Sequence, residues 1–276
     1  MLDYLKPVAL AVATFLPSIG CTTDNSSPNR SSQGADSSKV LPDSLNLEIS
    51  TRLYGSKGYP TPYDGACLSP EHRNLIAAVN ALVAARPYAV KEMILPEGSG
   101  ESYRVRLEGP TETFTTFLRP PTDEQLSSPI KCAPNVSWPA VFVIGGKDLS
   151  KRGLIDIMQH LGGREVKREP LNSLSPDQLQ NMLLEAAAEH RAVIFQSTTA
   201  DALGENKRVD SIIFEPNKAY AAIKVDGAVT ILDPERDIGL DDPNKGYRDG
   251  EAKVPSIDLY RFFKYVYIEL DSPDLP

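Results

Sequence analysis

The 276-residue chain has little of what redox, metal and nucleic-acid chemistry draws on: three cysteines, three histidines and one tryptophan. No Cys-x-x-Cys and no His-x-x-x-His occurs, so the spacings of a zinc site are missing and no metal or cofactor is expected. Basic residues number 29 against 37 acidic ones, a net charge of −8, and no Lys/Arg cluster stands out. That balance excludes the electrostatic footprint of a nucleic-acid binder. No internal repeat is present. What remains is ordinary globular material, 41% apolar and 24% charged, long enough to bury a substantial core.

The amino terminus does not read as part of that core. "MLDYLKPVALAVATFLPSIGC" holds an apolar run from Pro7 to Leu16, the length of a signal-peptide core and too short for a comfortable membrane span. Ser18 and Gly20 then lead to Cys21. The arrangement resembles a lipoprotein signal, with residues 1–20 removed and Cys21 lipidated as the new first residue. An ordinary secretory signal or a lone signal anchor are the alternatives. Thr22 after the cysteine leans toward an outer membrane, so the expected address is the cell envelope, lipid-anchored. Residues 22–45, "TTDNSSPNRSSQGADSSKVLPDSL", are too polar to order themselves and read as a tether. Residues 46–272 then form one domain.

Outside the cytoplasm, Cys67 and Cys132 are candidates for a disulfide. Cys67 also lies near a helix start, where a thiol becomes nucleophilic. A free structural thiol is the third possibility.

Along the domain, "LSPEHRNLIAAVNALVAARP" carries Ser69 as an expected N-cap and Pro70 as the first helical residue. Leu75, Ile76, Val79, Leu82 and Val83 share one face. An apolar segment covers Val90 to Ile94. "YRVRL" alternates as a half-buried strand does, with "TFTTFL" as its partner. "SWPAVFVIGG" and "GLIDIMQHLGG" read as helices ending in paired glycines. "LSPDQLQNMLLEAAAEH" repeats the Ser-Pro start at Ser175 and Pro176. "AVIFQST" is a buried strand. "AYAAIKVDGAVTIL" is a hairpin turning at Asp226-Gly227, a pair that tolerates φ > 0. "VPSIDLYRFFKYVYIEL" closes with a short helix and a strand. Helices come early and most strands late, an α+β order.

These phrases, in this order, resemble the calpain-type cysteine peptidase core, a papain-like fold, over Gly58 to Leu270. "NLIAAVNALVAARP" resembles the helix that follows that family's nucleophile, and "MILPEGSGESYRVRLEG" the turn and strand after it. "SWPAVFV" resembles its Trp-Pro-Ala segment, and "DIMQHLGG" its Leu-Thr-Gly segment without the Thr. "HRAVIFQSTT" resembles the strand before the catalytic histidine. "KAYAAIKVDGAVTILDPERD" resembles the His-Ala-Tyr strand and the Asn-Pro-Trp segment, and "GEAKVPSIDLYRFFKYVYIEL" the closing stretch. The resemblance implies two lobes, a helical half and an antiparallel sheet half, with a peptide cleft between them.

Such a site needs a thiolate at a helix N-terminus, an imidazole, an Asn or Asp to orient it, and an oxyanion donor. The resemblance places Arg73 at the nucleophile position, Lys218 at the histidine position and Asp233 at the asparagine position. "TPYDGACLSPEH" has no counterpart of the family's Gln-Gly-x-Leu-Gly-Asp lead-in, and Cys67 lies six residues before Arg73. A lysine, with a pKa roughly four units above that of histidine, is a saturated cation at neutral pH and no general base. Asp233 is free to pair with it.

The expectation is therefore a binding domain of papain-like fold without peptidase activity. Lys218, Asp233, Arg73 and His72 would line a cleft for a peptide or protein ligand. An active peptidase using Cys67 with a rearranged base, and an unrelated structural envelope lipoprotein, are the alternatives. His72 reads as a helix-surface residue, and His160 and His190 as cations near helix C-termini. The acidic stretch containing Asp233, Glu235, Asp237, Asp241, Asp242 and Asp249 lacks calcium-loop spacing and reads as a solvated loop.

Overall fold

Thirteen residues from Arg73 to Ala85 form helix α1, and nine in a row, Leu75–Val83, are buried. A helix apolar all round belongs inside a core, and here it lies along the hairpin strand β8 (Ala219–Val225). The computed structural model describes residues 58–64, 72–97, 102–108, 113–118, 149–205, 207–235 and 250–271, all within one compact unit.

Six strands make one sheet: β4 (Val166–Pro170), β5 (Val193–Ser197), β8, β9 (Ala228–Leu232), β10 (Glu251–Pro255) and β11 (Phe263–Glu269). Their spatial order is β10-β9-β8-β5-β11-β4, and every neighbouring pair is antiparallel. Side chains alternate between two cores, as strand geometry demands. Ile194, Ala219, Ala221 and Tyr267 join α1 on one face. Val193, Phe195, Tyr220, Ala222, Val266 and Ile268 point to the other. There they meet α4 (Pro176–Ala188) and the stacked rings of Phe214, Phe262 and Phe263. The small residues Ala219 and Ala221 leave room for α1, whose Ala77, Ala78 and Ala81 belong to the same core.

The remaining pieces surround this centre. α2 (Pro87–Met93) leads into β1 (Ile94–Glu97), which pairs with β2 (Ser102–Glu108), itself paired with β3 (Thr113–Leu118). α3 is Leu154–Gly162, α5 is Ala200–Leu203, and α6 is Leu259–Phe262. A two-stranded ribbon, β6 (Arg208–Val209) and β7 (Ile212–Ile213), sits by the edge strand β10. Between them, Asp210 Oδ2 and Ser211 Oγ accept from the N–H groups of Lys253 and Glu251, at 2.9 and 3.1 Å.

The mixture of helix and antiparallel sheet is the expected α+β class, and the Ser175 cap, the Asp226-Gly227 hairpin and the "YRVRL"–"TFTTFL" pair form as read. Four readings are corrected. Helix α1 starts at Arg73, not Pro70, because His72 still has turn geometry and serves as N-cap, its ring making no capping hydrogen bond. The imidazole of His72 is buried, not on a helix surface. The apolar segment Val90–Ile94, read without an element, spans the end of a helix opened by Pro87 and the first residue of a strand. The ring of His160 does not serve the open carbonyls of the helix end. Buried, it bonds the Asp156 carbonyl through Nδ1 at 2.7 Å and takes a hydrogen bond from Arg152 at Nε2, 3.0 Å, since a guanidinium can only donate. His190 takes the left-handed position after α4 (φ 55°), and its carbonyl, not its ring, is used. "SWPAVFVIGG", the signal, the tether, Cys21, Cys67 and Cys132 lie outside the described residues.

Past the far end of α1, Arg86 grips buried Glu269 with both nitrogens, at 2.6 and 2.9 Å. Arg86 also bonds the His190 carbonyl, and Glu269 accepts from the N–H of Ala192, so one ion pair ties α1, α4, β5 and β11 together. The paired glycines after α3 do separate jobs. Gly163 takes φ 66° at the C-cap, while a Cβ on Gly162 would lie 1.9 Å from Glu269 Oε1. Gly162→Ala must push that carboxylate off Arg86 and is expected to cost about 3 kcal/mol, the range for breaking a buried ion pair. A fall in the urea midpoint at unchanged slope checks it. A neutral result would mean that the clamp shifts without loss.

Candidate functional site

The turn Glu215-Pro216-Asn217 delivers the chain into β8 at Lys218. Asn217 has φ 55°, a conformation this side chain tolerates, and its N–H donates to the Thr198 carbonyl at 3.1 Å. Ser197, at the end of β5, fastens the turn. Its Oγ accepts from Lys218 N at 2.9 Å and donates to the Glu215 carbonyl, while its own N–H donates to the Lys218 carbonyl at 2.9 Å. The Lys218 side chain is only 1% exposed, a position a lysine occupies only when paired.

The pairing is dense. Lys218 Nζ lies 2.9 Å from Asp233 Oδ1, 3.2 Å from Asp233 Oδ2, 2.6 Å from Glu235 Oε2 and 3.3 Å from Glu215 Oε1. The Tyr220 ring lies 5.5 Å away, within cation–π range. Asp233 is held by its N–H on the Gly250 carbonyl at 2.8 Å, and its Oδ1 also accepts from Glu235 N at 2.8 Å. Burial pulls the ammonium pKa down. The charge of Asp233 and the hydrogen bonds to Glu235 and Asp233 more than offset it, and the pKa stands above the ordinary lysine value. For Tyr220, burial and the Asp233 charge push the phenol up; its oxygen accepts from Glu215 N at 2.8 Å. At neutral pH the centre is one locked cation among three carboxylates.

Arg73, the first residue of α1, completes the picture. Its Nη1 lies 4.0 Å from Glu215 Oε2, while Glu215 Oε1 faces Lys218. The structure thus brings Arg73, Lys218 and Asp233 to one place, with Glu215 between the two cations. His72, buried at the start of the same helix, lies next to Arg73 in the chain. Lys218 itself does not face open solvent; Arg73 and Glu215, 34% and 52% exposed, are the accessible members. Cys67, Cys132 and Asp237 through Asp249 lie outside the described residues.

Sequence reasoning missed Glu215, Ser197 and Tyr220 as members of the centre and read Glu235 only as part of a solvated loop. Glu215 was legible as an acid three residues from a lysine, across a Pro-Asn turn. Nothing in the local sequence marks Ser197, which reaches the turn only because β5 and β8 pair. Among the described residues no three His, Cys, Asp or Glu side chains converge as a metal site. A groove of about 220 Å³ opens at the opposite end of α1, floored by Ala81, Ala85, Ala186 and Ala222. Arg73, Lys218 and Asp233 do not line it. No described helix is long and apolar enough to cross a membrane. No protein-family model matches the chain, and no curated protein matches it in sequence.

Removing the cation strands two largely covered carboxylates, Asp233 and Glu235. Lys218→Met is expected to cost about 3 kcal/mol of stability, whereas Glu215→Gln, half-exposed, should cost under about 1 kcal/mol. Paired urea titrations measure both. Equal losses would show that Glu215 is as essential to the centre as Asp233 and Glu235.

Proposed function

We propose that this is a papain-like domain of calpain type that has lost peptidase chemistry and works by binding an extended peptide or protein segment. The reading rests on one observation. The residues at the nucleophile and base positions of the resemblance, Arg73 and Lys218, sit on the two oxygens of one carboxylate, Glu215. The start of the buried helix lies against the hairpin where such a site would be. Both positions carry cations, and neither fills the peptidase role: a guanidinium is no thiolate, and an ammonium cannot accept a proton.

Asp233, in the orienting position, is engaged with Lys218 in place of an imidazole. With the base replaced by a buried ammonium, what the frame retains is shape and charge at the mouth of the cleft, Arg73 and Glu215 being its accessible groups. Cys21 as a lipid anchor would hold the domain at the cell envelope, the outer membrane where two membranes exist. An active peptidase with Cys67 as nucleophile is the competing reading, and the test below separates the two.

The test is alkylation of the full chain at mildly acidic pH, with peptide mapping, beside a denatured sample at neutral pH that counts every free thiol. Only a thiol with a depressed pKa labels in acid. No cysteine should label in acid, and extended peptides should be retained on the protein uncleaved. Rapid acid labelling of Cys67 would overturn the proposal in favour of an active enzyme. Label at Cys67 and Cys132 only after reduction would show a disulfide and close that alternative.

A further inference from the structure

The centre around Lys218 holds the parts of a covalent reaction that the binding reading does not use. We propose that Lys218 and Asp233 form an intramolecular isopeptide bond, assisted by Glu235, cross-linking the start of β8 to the end of β9. The inference does not depend on the papain resemblance.

Geometry supports it first. Lys218 Nζ lies within 3.2 Å of both Asp233 oxygens, so the carbon between them is in reach of the nitrogen. Reacting atoms held near 3–3.5 Å gain the large rate advantage of intramolecularity. Neither partner is free to drift. Ser197 holds the Lys218 backbone on both its N–H and C=O, and the N–H of Asp233 is tied to the Gly250 carbonyl. β8 and β9 pair in register beside the site, Ala221 opposite Leu232.

Environment supports it second. The side chains of Lys218, Asp233 and Glu235 are 1%, 15% and 13% exposed, with the Tyr220 ring beside them. Excluding water weakens the back reaction, hydrolysis, and replaces a costly buried ion pair by a neutral amide. Glu235 Oε2, 2.6 Å from the same nitrogen, is placed to carry protons. Glu215, the third carboxylate on Nζ, is half-exposed and stays a spectator.

The step balances without oxidant, reductant or co-reactant. Glu235 takes a proton from the ammonium and passes it to an Asp233 oxygen. The freed amine attacks Asp233 Cγ, and the C–N bond forms. Glu235 then moves a second proton from nitrogen to the same oxygen, the C–O bond breaks, and one water leaves. One positive and one negative charge disappear together, and Glu235 ends as it began. The protons are only redistributed within the centre, so the step needs no proton from solvent and releases none to it.

Tryptic mapping of the denatured full chain tests this. With the bond, trypsin cannot cut after Lys218, so the segment Val209–Lys224 is joined to Val225–Arg236, lighter than their sum by one water. Lys218→Arg keeps the cation and should yield unjoined segments. Glu235→Gln keeps Lys218 and Asp233 and should restore the cleavage after Lys218 that the bond blocks in wild-type protein. If wild-type protein, even after long incubation in the folded state, is fully cut after Lys218 with both segments at full mass, the proposal fails. If Glu235→Gln cross-links as fast as wild type, the assigned role of Glu235 fails.

Discussion

The rest of this molecule depends on burying one helix completely. Helix α1 packs against α2 and α3 as well as β5 and β8, so nine consecutive residues see no solvent and no charge can be placed along its middle. Apart from the buried amide of Asn80, its polar and charged groups are pushed to its ends. At one end Arg73 reaches Glu215, and just past the other Arg86 chelates Glu269. The two ion-pair centres are consequences of one constraint: charges that flank an apolar rod must be paired where the rod meets the sheet.

The two centres solve the problem differently. Arg86 and Glu269 balance one to one, and backbone groups from α4 and β5 satisfy the remaining donor and acceptor capacity. At Lys218 three acids surround a single lysine, with Arg73 only at 4.0 Å from the outermost. Surplus negative charge around a buried cation favours its protonated form and immobilises the turn that carries it. A site poised for reversible proton transfer needs the opposite, a group whose pKa lies near the working pH. The chemistry at this helix start is that of a lock.

Much of the framework was legible because it rests on local signals. Ser175 with Gln178 forms a reciprocal capping box, Asp226-Gly227 turns the hairpin, and alternation in "YRVRL" gives a strand. What could not be read depends on pairing across long separations. The burial of His72 and His160 follows from packing that no window of sequence contains. Gly162 looks like half of a helix stop until Glu269, over a hundred residues on, is seen against it. In the site, Lys218 and Asp233 were visible as a candidate pair, one hairpin apart. Glu235 was not, since an acid in an acidic stretch is normally solvated, and Glu215 was marked only by its spacing from Lys218.

Strand β11 is made after every other strand of the main sheet, yet it lies inside it, between β5 and β4. Until Phe263–Glu269 leaves the ribosome, β4 has no neighbour to join and β5 keeps one edge bare. Glu269 rides on the same strand, so Arg86 must wait as well. A stalled or clipped chain ending before Phe263 therefore leaves β4 and β5 with unsealed, sticky edges, prey for proteases and chaperones.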